Sequence, residues 1–361
     1  MFRIVFLLLF LSPLILFAQR PMLSDSVRGY IVEDTSTYTY EMIAADLDSF
    51  QKSYPDVVHP VHIGKSEFGL DLKAVRIGRD KPKQSCIFLV GNVHAREDFS
   101  SKLVMKFLNG WLLSIDHGST IYPDAAAYLD SIDIYILPVA NPDGLKIAQY
   151  DFDGILDSVN AHLDSIYCVE GFPEWKANGR GIDLNRSFDD GNWNVKASGG
   201  FQPRPSSEGY KGEIPAQPLE TRAIQDFVNR VRPLITVSFH TKGEVLYWAD
   251  AKSHPYFQNV DKQISERVAD SSGYELSAIG KNPASYGCGL ENYVRLRLGR
   301  LGTCVELAPG TGGRTPHADN LFNTLVWDKA WQIPAIYIRS AVEFQAAIET
   351  NAEALLKGLA Q

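Results

Sequence analysis

Four short apolar runs stand out along the chain, at 85–91, 133–139, 234–239 and 302–307, each bounded by Gly, Pro or polar residues. Runs of that length and bounding are those of strands buried on both faces of a mostly parallel sheet. Between them the apolar positions change period. Leu103, Val104, Phe107, Leu108, Trp111 and Leu112 recur at helical spacing in 99–113. Ala223, Ile224, Phe227, Val228 and Val231 do the same in 219–231. Similar spacing predicts helices over 41–53, 257–269, 318–332 and 341–359. Strands alternating with helices predict an α/β fold: a single doubly wound sheet, mixed but mostly parallel, with helices on both faces. The stretch 187–218 is turn-rich yet carries aromatics, and is expected to be an ordered excursion beside a site.

The first eighteen residues follow another rule. A basic start at Arg3, an apolar run from Ile4 to Phe17 and then Ala18-Gln19 read as a signal peptide. The run is too short to cross about 30 Å of hydrocarbon and is interrupted by Pro13. The expected layout is therefore a signal at 1–18, a lead-in at 19–36 and a catalytic domain at 37–361. Export to the periplasm or outside follows, with no membrane anchor after signal removal.

Composition adds exclusions. The 361 residues are 45% hydrophobic and 22% charged, which rules out collagen-like and disordered classes. A formal charge of −8 argues against nucleic acid as a partner. Cys86, Cys168, Cys288 and Cys304 lack zinc-site spacing. A Cys288–Cys304 bridge is compatible with export, although spacing does not establish it.

In sheets of this kind ligands bind beyond the carboxyl ends of the strands, so the residues following each apolar run matter most. After the first run come His94 and Glu97, after the third His240, and inside the end of the fourth Glu306. Two histidines and a carboxylate are the ligand set of a catalytic zinc with one position open to water. A further carboxylate at the same edge can take that water's proton. A lone His-x-x-Glu carries little weight; the combination across three strand ends carries more.

The segments GNVHARE, ANPDGL, EWKANGRGIDLNRSF, VSFHTKGEVLYW and TCVEL resemble, in this order, the motif series of the M14 zinc carboxypeptidases. The resemblance runs from about Thr37 to the C-terminus. It implies that His94, Glu97 and His240 bind zinc and that Glu306 is the catalytic base. It also implies that Asp143 orients a zinc histidine and that Asn185 and Arg186 grip the substrate's terminal carboxylate. Tyr286, or its rival Tyr293, would be the mobile tyrosine of the site. Two departures are visible. Asp98 stands where the family often has Trp, and Trp175-Lys176 stands where many members have Trp-Arg, so that oxyanion stabilisation is divided between Lys176 and Arg180.

The wording of EWKANGRGIDLNRSF and VSFHTKGEVLYW is closer to bacterial γ-D-glutamyl-L-diamino acid endopeptidases than to digestive carboxypeptidases. That implies cell-wall stem peptides as substrates, with Glu291 favouring a diamino side chain if it points inward. A monomer acting on peptides is the expectation. A broad carboxypeptidase acting on protein-derived peptides and a catalytically silent peptide-binding module on the same fold are the alternatives.

Overall fold

Neighbouring residues of one strand divide the interior of the protein. In Cys86–Val90, Ile87 and Leu89 join one apolar layer while Cys86, Phe88 and Val90 join the other. A strand can be apolar on both sides only where helices cover both faces, and they do. The computed structural model describes residues 37–117, 121–150, 166, 172–196 and 202–359. The signal and lead-in, Cys168 and part of the 187–218 excursion lie outside the described residues.

The strands are β1 (Val58–Lys65), β2 (Asp71–Ile77), β3 (Cys86–Val90), β4 (Asp133–Leu137), β5 (Ile235–Thr241), β6 (Val245–Tyr247), β7 (Glu275–Leu276) and β8 (Leu301–Leu307). They form one sheet in the order β1-β2-β4-β3-β5-β8-β6-β7. The central strands β4, β3, β5 and β8 are parallel, whereas β1, β2 and β6 run antiparallel to their neighbours on the way outward. The expected mixed, mostly parallel α/β sheet is therefore present. In its parallel centre, every strand delivers its carboxyl end to the same edge.

The helices used below are α1 (Tyr40–Ser53), α2 (Phe99–His117), α3 (Pro142–Ala148), α4 (Leu219–Val231), α5 (Val260–Ser272), α6 (Leu290–Leu298), α7 (Ile333–Glu343) and α8 (Gln345–Leu359). Residues of α1, α2, α5, α7 and α8 pack in the larger core, and those of α4 and α6 in the smaller one across the sheet. Helix α4 has the predicted bounds, burying Ile224, Phe227 and Val228 and stopping where Arg232 takes a left-handed conformation. Helix α5 starts and stops later than its periodicity suggests. Pro255 sits in a 3-10 turn ahead of it, and Gly273, with φ 74°, ends it. The stretch 318–332 is broken into a 3-10 turn, a π-helical turn and a short α-helical piece, and 341–359 spans the end of α7 and all of α8.

One buried ion pair ties the antiparallel edge to the centre. Arg76 on β2 lies 3.3 Å from Asp133 at the start of β4, and neither side chain is more than 5% exposed. Asp133 also accepts the Lys83 N–H at 2.7 Å, so its charge is well partnered. Cys288 and Cys304, offered above as a bridge, are separate buried thiols.

Candidate metal centre and active site

The turn between β3 and α2 carries the first two candidate ligands, and Asn92 shapes it. This residue has φ 50°, and its side-chain amide donates to the carbonyls of His94 (3.2 Å) and Ala95 (3.0 Å). Its own N–H donates to Ser100 Oγ at 2.8 Å, and that hydroxyl donates to the Glu97 carbonyl at 2.5 Å. The Ala95 N–H reaches the Lys176 carbonyl at 3.1 Å, fastening a distant loop to the turn.

His94 and Glu97 meet His240, which lies near the end of β5. His94 Nδ1 is 3.0 Å from Glu97 Oε1, and His240 Nδ1 is 2.9 Å from both His94 Nδ1 and Glu97 Oε2. All three residues are at most 2% exposed. Two imidazole nitrogens facing each other beside a carboxylate form a donor set that a shared cation satisfies. The tautomer agrees. His94 Nε2 lies 3.2 Å from Asp183 Oδ1 and must donate to that carboxylate, leaving the Nδ1 lone pair for a metal. The residues present therefore fit zinc with two histidines and one glutamate. Another possible gathering, His240, Cys304 and Glu306, shares His240. Burial and the nearby carboxylates push the Cys304 thiol well up, so it is held in its neutral form.

Burial alone would raise the Glu97 carboxyl, but His94 and His240 outweigh it and hold it well below the usual range. Asp183 behaves in the same way: burial raises it, while His94, Arg186 and Lys176 bring it well below the ordinary aspartate value. Glu306 goes the other way. Burial and the charge of Glu97 raise it, against the pull of His240, Lys176 and Arg186. It is the register partner of His240 across the parallel β5–β8 pair, so the two residues share one level of the sheet edge.

The expected role of Asp143 needs correction. Its carboxylate accepts Ser66 Oγ at 2.6 Å and the Phe68 N–H at 2.9 Å, and so holds the β1–β2 turn. The carboxylate on His94 is that of Asp183. The Asn-Pro-Asp-Gly motif is instead a brace. Asn141 caps α3 and donates to the carbonyls of Ala177 (3.0 Å) and Val93 (3.3 Å), linking the two loops that carry Lys176 and His94. Gly144 packs so near the Ala177 carbonyl that a Cβ would come within 2.4 Å of it.

Lys176 and Arg180 separate. Lys176 Nζ is 3.8 Å from Glu97 Oε1 and lines a cavity together with Glu306. Arg180 lies 3.6 Å from Glu67 and over the Phe68 ring at 5.5 Å, on the side of the β1–β2 turn. Asn185 accepts the Leu290 N–H at 3.0 Å, which fixes its amide, and Arg186 donates to the Asn185 carbonyl at 2.9 Å.

Neither expected tyrosine faces Glu306. Tyr286 packs over Gly280, and its charged neighbours are Asp250, Asp190 and Arg295. Tyr293 exchanges hydrogen bonds with Asn229 of α4 in the smaller core. A tyrosine near the site is Tyr247 on β6, the register partner of Cys304. Burial, Glu306 and Cys304 raise its phenol, and it remains half exposed. Sequence reasoning also missed Lys196, a buried lysine that donates to the Ser285 carbonyl at 2.5 Å. Burial and Arg186 push its ammonium down to about 8, against the pull of Cys288, Glu291 and Asp183. Asp183 had a signal, two residues before Asn185; Lys196 had none.

The sequence profile of a family described as zinc carboxypeptidases matches residues 43–311. A γ-D-glutamyl-L-diamino acid endopeptidase of Lysinibacillus sphaericus is 26% identical over 286 residues, covering 78% of this chain and 68% of that protein. Carboxypeptidase A2 of Mus musculus is 25% identical over 240 residues, covering 65% of this chain and 52% of that protein, so the chain spans only about half of it. Among solved structures, thrombin activatable fibrinolysis inhibitor superposes with a TM-score of 0.64 at 19% identity, covering 88% and 82% of the two chains, a likeness of fold. A profile match over most of the length, on a sheet that gathers His94, Glu97 and His240, places this chain in the M14 zinc carboxypeptidase family.

Proposed function

We propose that the chain is an exported zinc metallopeptidase that hydrolyses an amide near a free carboxylate, with peptidoglycan stem peptides as its substrates. The observation that carries the reading is the convergence of His94 Nδ1, Glu97 and His240 Nδ1 within 3.0 Å, with Glu306 at the same level of the next strand. A silent binding module has no need of that set. Export rests on the pattern of the first eighteen residues, and the stem-peptide class on motif wording and on similarity to the Lysinibacillus endopeptidase.

Zinc held by the three ligands supplies Lewis acidity toward a carbonyl and toward water. The remaining work belongs to the chain. Asp183 holds the His94 ring in the tautomer that presents Nδ1. Glu306 takes the proton of the attacking water and returns it to the leaving amine. Lys176 stabilises the charge that develops on the carbonyl oxygen, as a point charge without the guanidinium fork. Asn185 and Arg186 bind the terminal carboxylate and set the register of the substrate. Glu291, 8% exposed and with an Oε2 lacking a hydrogen-bond partner among the described residues, supports a cationic diamino side chain.

The test is a comparison of purified zinc-loaded protein on a γ-D-glutamyl-diaminopimelate peptide and on peptides ending in Arg, Lys or Phe. Products are identified by mass spectrometry. Preference for the first supports stem peptides; preference for the others means a broad carboxypeptidase. Glu306→Gln is expected to keep about one zinc per chain and to lose hydrolysis in both sets. Full activity in that variant removes Glu306 from its role.

A further inference from the structure

Glu306 also borders a cavity of about 180 Å³ whose walls include Arg96, Lys176, Lys242 and Arg314. Four cations surround one carboxylate there, and neither Asn185 nor Arg186 is in the wall. This space is thus separate from the grip on the terminal carboxylate. The cations come from different parts of the chain: the β3–α2 turn, the Trp175 loop, the residue after β5 and the loop that follows β8.

They are held from behind. Glu208 accepts Arg96 Nη1 at 3.0 Å and pairs with Arg314 Nη2 at 2.6 Å. Lys242 Nζ donates to the carbonyls of Thr311 (2.6 Å) and Thr315 (2.7 Å), and the Thr315 hydroxyl donates to Glu174 at 2.6 Å. Lys242 thus straps the 311–315 loop across the cleft. One carboxylate braces two guanidiniums, and carbonyls, which carry no charge, hold the ammonium. Glu97 lies beside Lys176 and Glu174 acts on Lys242, but neither carboxylate lines the cavity, so the surface a substrate meets there presents four cations and only Glu306 as an acid. Arg96 and Lys176 are only 12% and 18% exposed, so water screens them poorly.

We infer that this cavity is an acid subsite on the acyl side of the cut, which binds a carboxylate on the residue that contributes the scissile carbonyl. The inference rests on the peptidase reading above and sharpens its substrate class. With the terminal carboxylate at Arg186 and the carbonyl between Lys176 and Glu306, the acyl residue extends toward Lys242 and Arg314. A glutamyl residue linked through its side-chain carboxyl keeps its α-carboxylate three carbons from the scissile carbonyl. An ordinary α-linked glutamate places its side-chain carboxylate at the same remove. A charged acceptor among fixed cations gains roughly twice a neutral hydrogen bond, whereas the corresponding amide gains little.

The experiment uses two matched pairs of peptides with the zinc-loaded enzyme. In one, γ-linked D-glutamate is compared with D-isoglutamine before diaminopimelate; in the other, α-linked Glu is compared with Gln before a C-terminal Lys. The expected result is a preference for the acid of about tenfold in kcat/KM, shrinking as salt is raised. In the double variant Lys242→Met, Arg314→Met the acid-to-amide ratio is expected to fall toward one. Arg314→Met alone, at a more exposed position, is expected to lower it part of the way and covers the case of a misfolded double variant. Binding of the same peptides to Glu306→Gln enzyme, by calorimetry, reads the preference without turnover. Equal values for acid and amide in wild type overturn the subsite. Cleavage of the α-linked pair only, with the acid preferred, upholds the subsite and removes the stem-peptide reading.

Discussion

Asp183 Oδ1 and His94 Nε2 lie 3.2 Å apart, both fully enclosed, and that contact decides which nitrogen of His94 is left for a metal. Asp183 also accepts the Gly209 N–H at 3.2 Å, so its orientation is fixed from a second side. Asp183→Asn is expected to weaken zinc binding by about 10–100-fold, read by competition with a chromophoric chelator. Asp143→Asn, whose side chain accepts its hydrogen bonds from Ser66 and Phe68 of the β1–β2 turn, is expected to keep wild-type zinc affinity while lowering Tm. The opposite order would return the orienting role to Asp143.

Lys176 and Arg180 also make a direct contrast. The first stands beside Glu97 and Glu306, the second beside Glu67 and Phe68. Lys176→Met is expected to lower kcat by about 10²–10³-fold with little change in KM, the loss found when one donor to a developing oxyanion is removed. Arg180→Met is expected to leave kcat near wild type. A large loss of kcat in Arg180→Met, with Lys176→Met active, reverses the assignment.

How far the site could be read in advance depended on what held each residue in place. His94, Glu97, His240 and Glu306 were legible because parallel strands deliver their ends to one edge, and short apolar runs mark those strands well. The roles of Asp143 and Asp183 were not separable by spacing, since each aspartate adjoins a turn and only packing shows which one meets an imidazole. Tyr247 was missed because β6 is a three-residue strand whose register with β8, not its own pattern, turns it toward the site. Lys196 is hidden for another reason. Its ammonium donates to the carbonyl of Ser285, nearly ninety positions away. Among the elements, the broken helix at 318–332 shows the same limit, since periodicity places its apolar face but not its hydrogen-bond pattern.

The Arg76–Asp133 pair makes a stability prediction independent of the site. Asp133→Ala leaves a guanidinium enclosed between β2 and β4 and also removes the acceptor for the Lys83 N–H. A loss of about 3–5 kcal/mol is expected, the range for breaking one side of a buried pair. Urea denaturation of the zinc-free protein measures it. A loss below about 1 kcal/mol, the level of an exposed pair, would show that water reaches the guanidinium.

Glu220, in the first turn of α4, predicts a pH dependence. Its carboxylate is buried, accepting Asn178 Nδ2 at 3.1 Å and the Glu67 N–H at 3.2 Å, close to the carboxylates of Asp143 and Glu67, with Arg180 nearby. Burial, followed by the charge of Asp143, pushes it up to about 8, and burial pushes Asp143 up to about 6. A carboxyl raised in the folded state binds more protons there than in the unfolded chain, so the stability it contributes is present in full below the ordinary glutamate value. That stability is lost as pH rises through about 8. Wild-type Tm is therefore expected to decline between pH 5 and pH 9, beyond what the exposed groups contribute. Glu220→Gln, which keeps a neutral group at the position, is expected to flatten that decline and to gain most over wild type at the alkaline end. Thermal melts across the range give the comparison, and a variant whose deficit grows with pH contradicts the raised carboxyl. Because Asn178 also accepts the Arg180 and Ile182 N–H groups at 3.0 Å, the same titration loosens the loop that carries Lys176 and Asp183. Hydrogen exchange in 176–183 is expected to quicken over the same interval in wild type and to stay level in the variant.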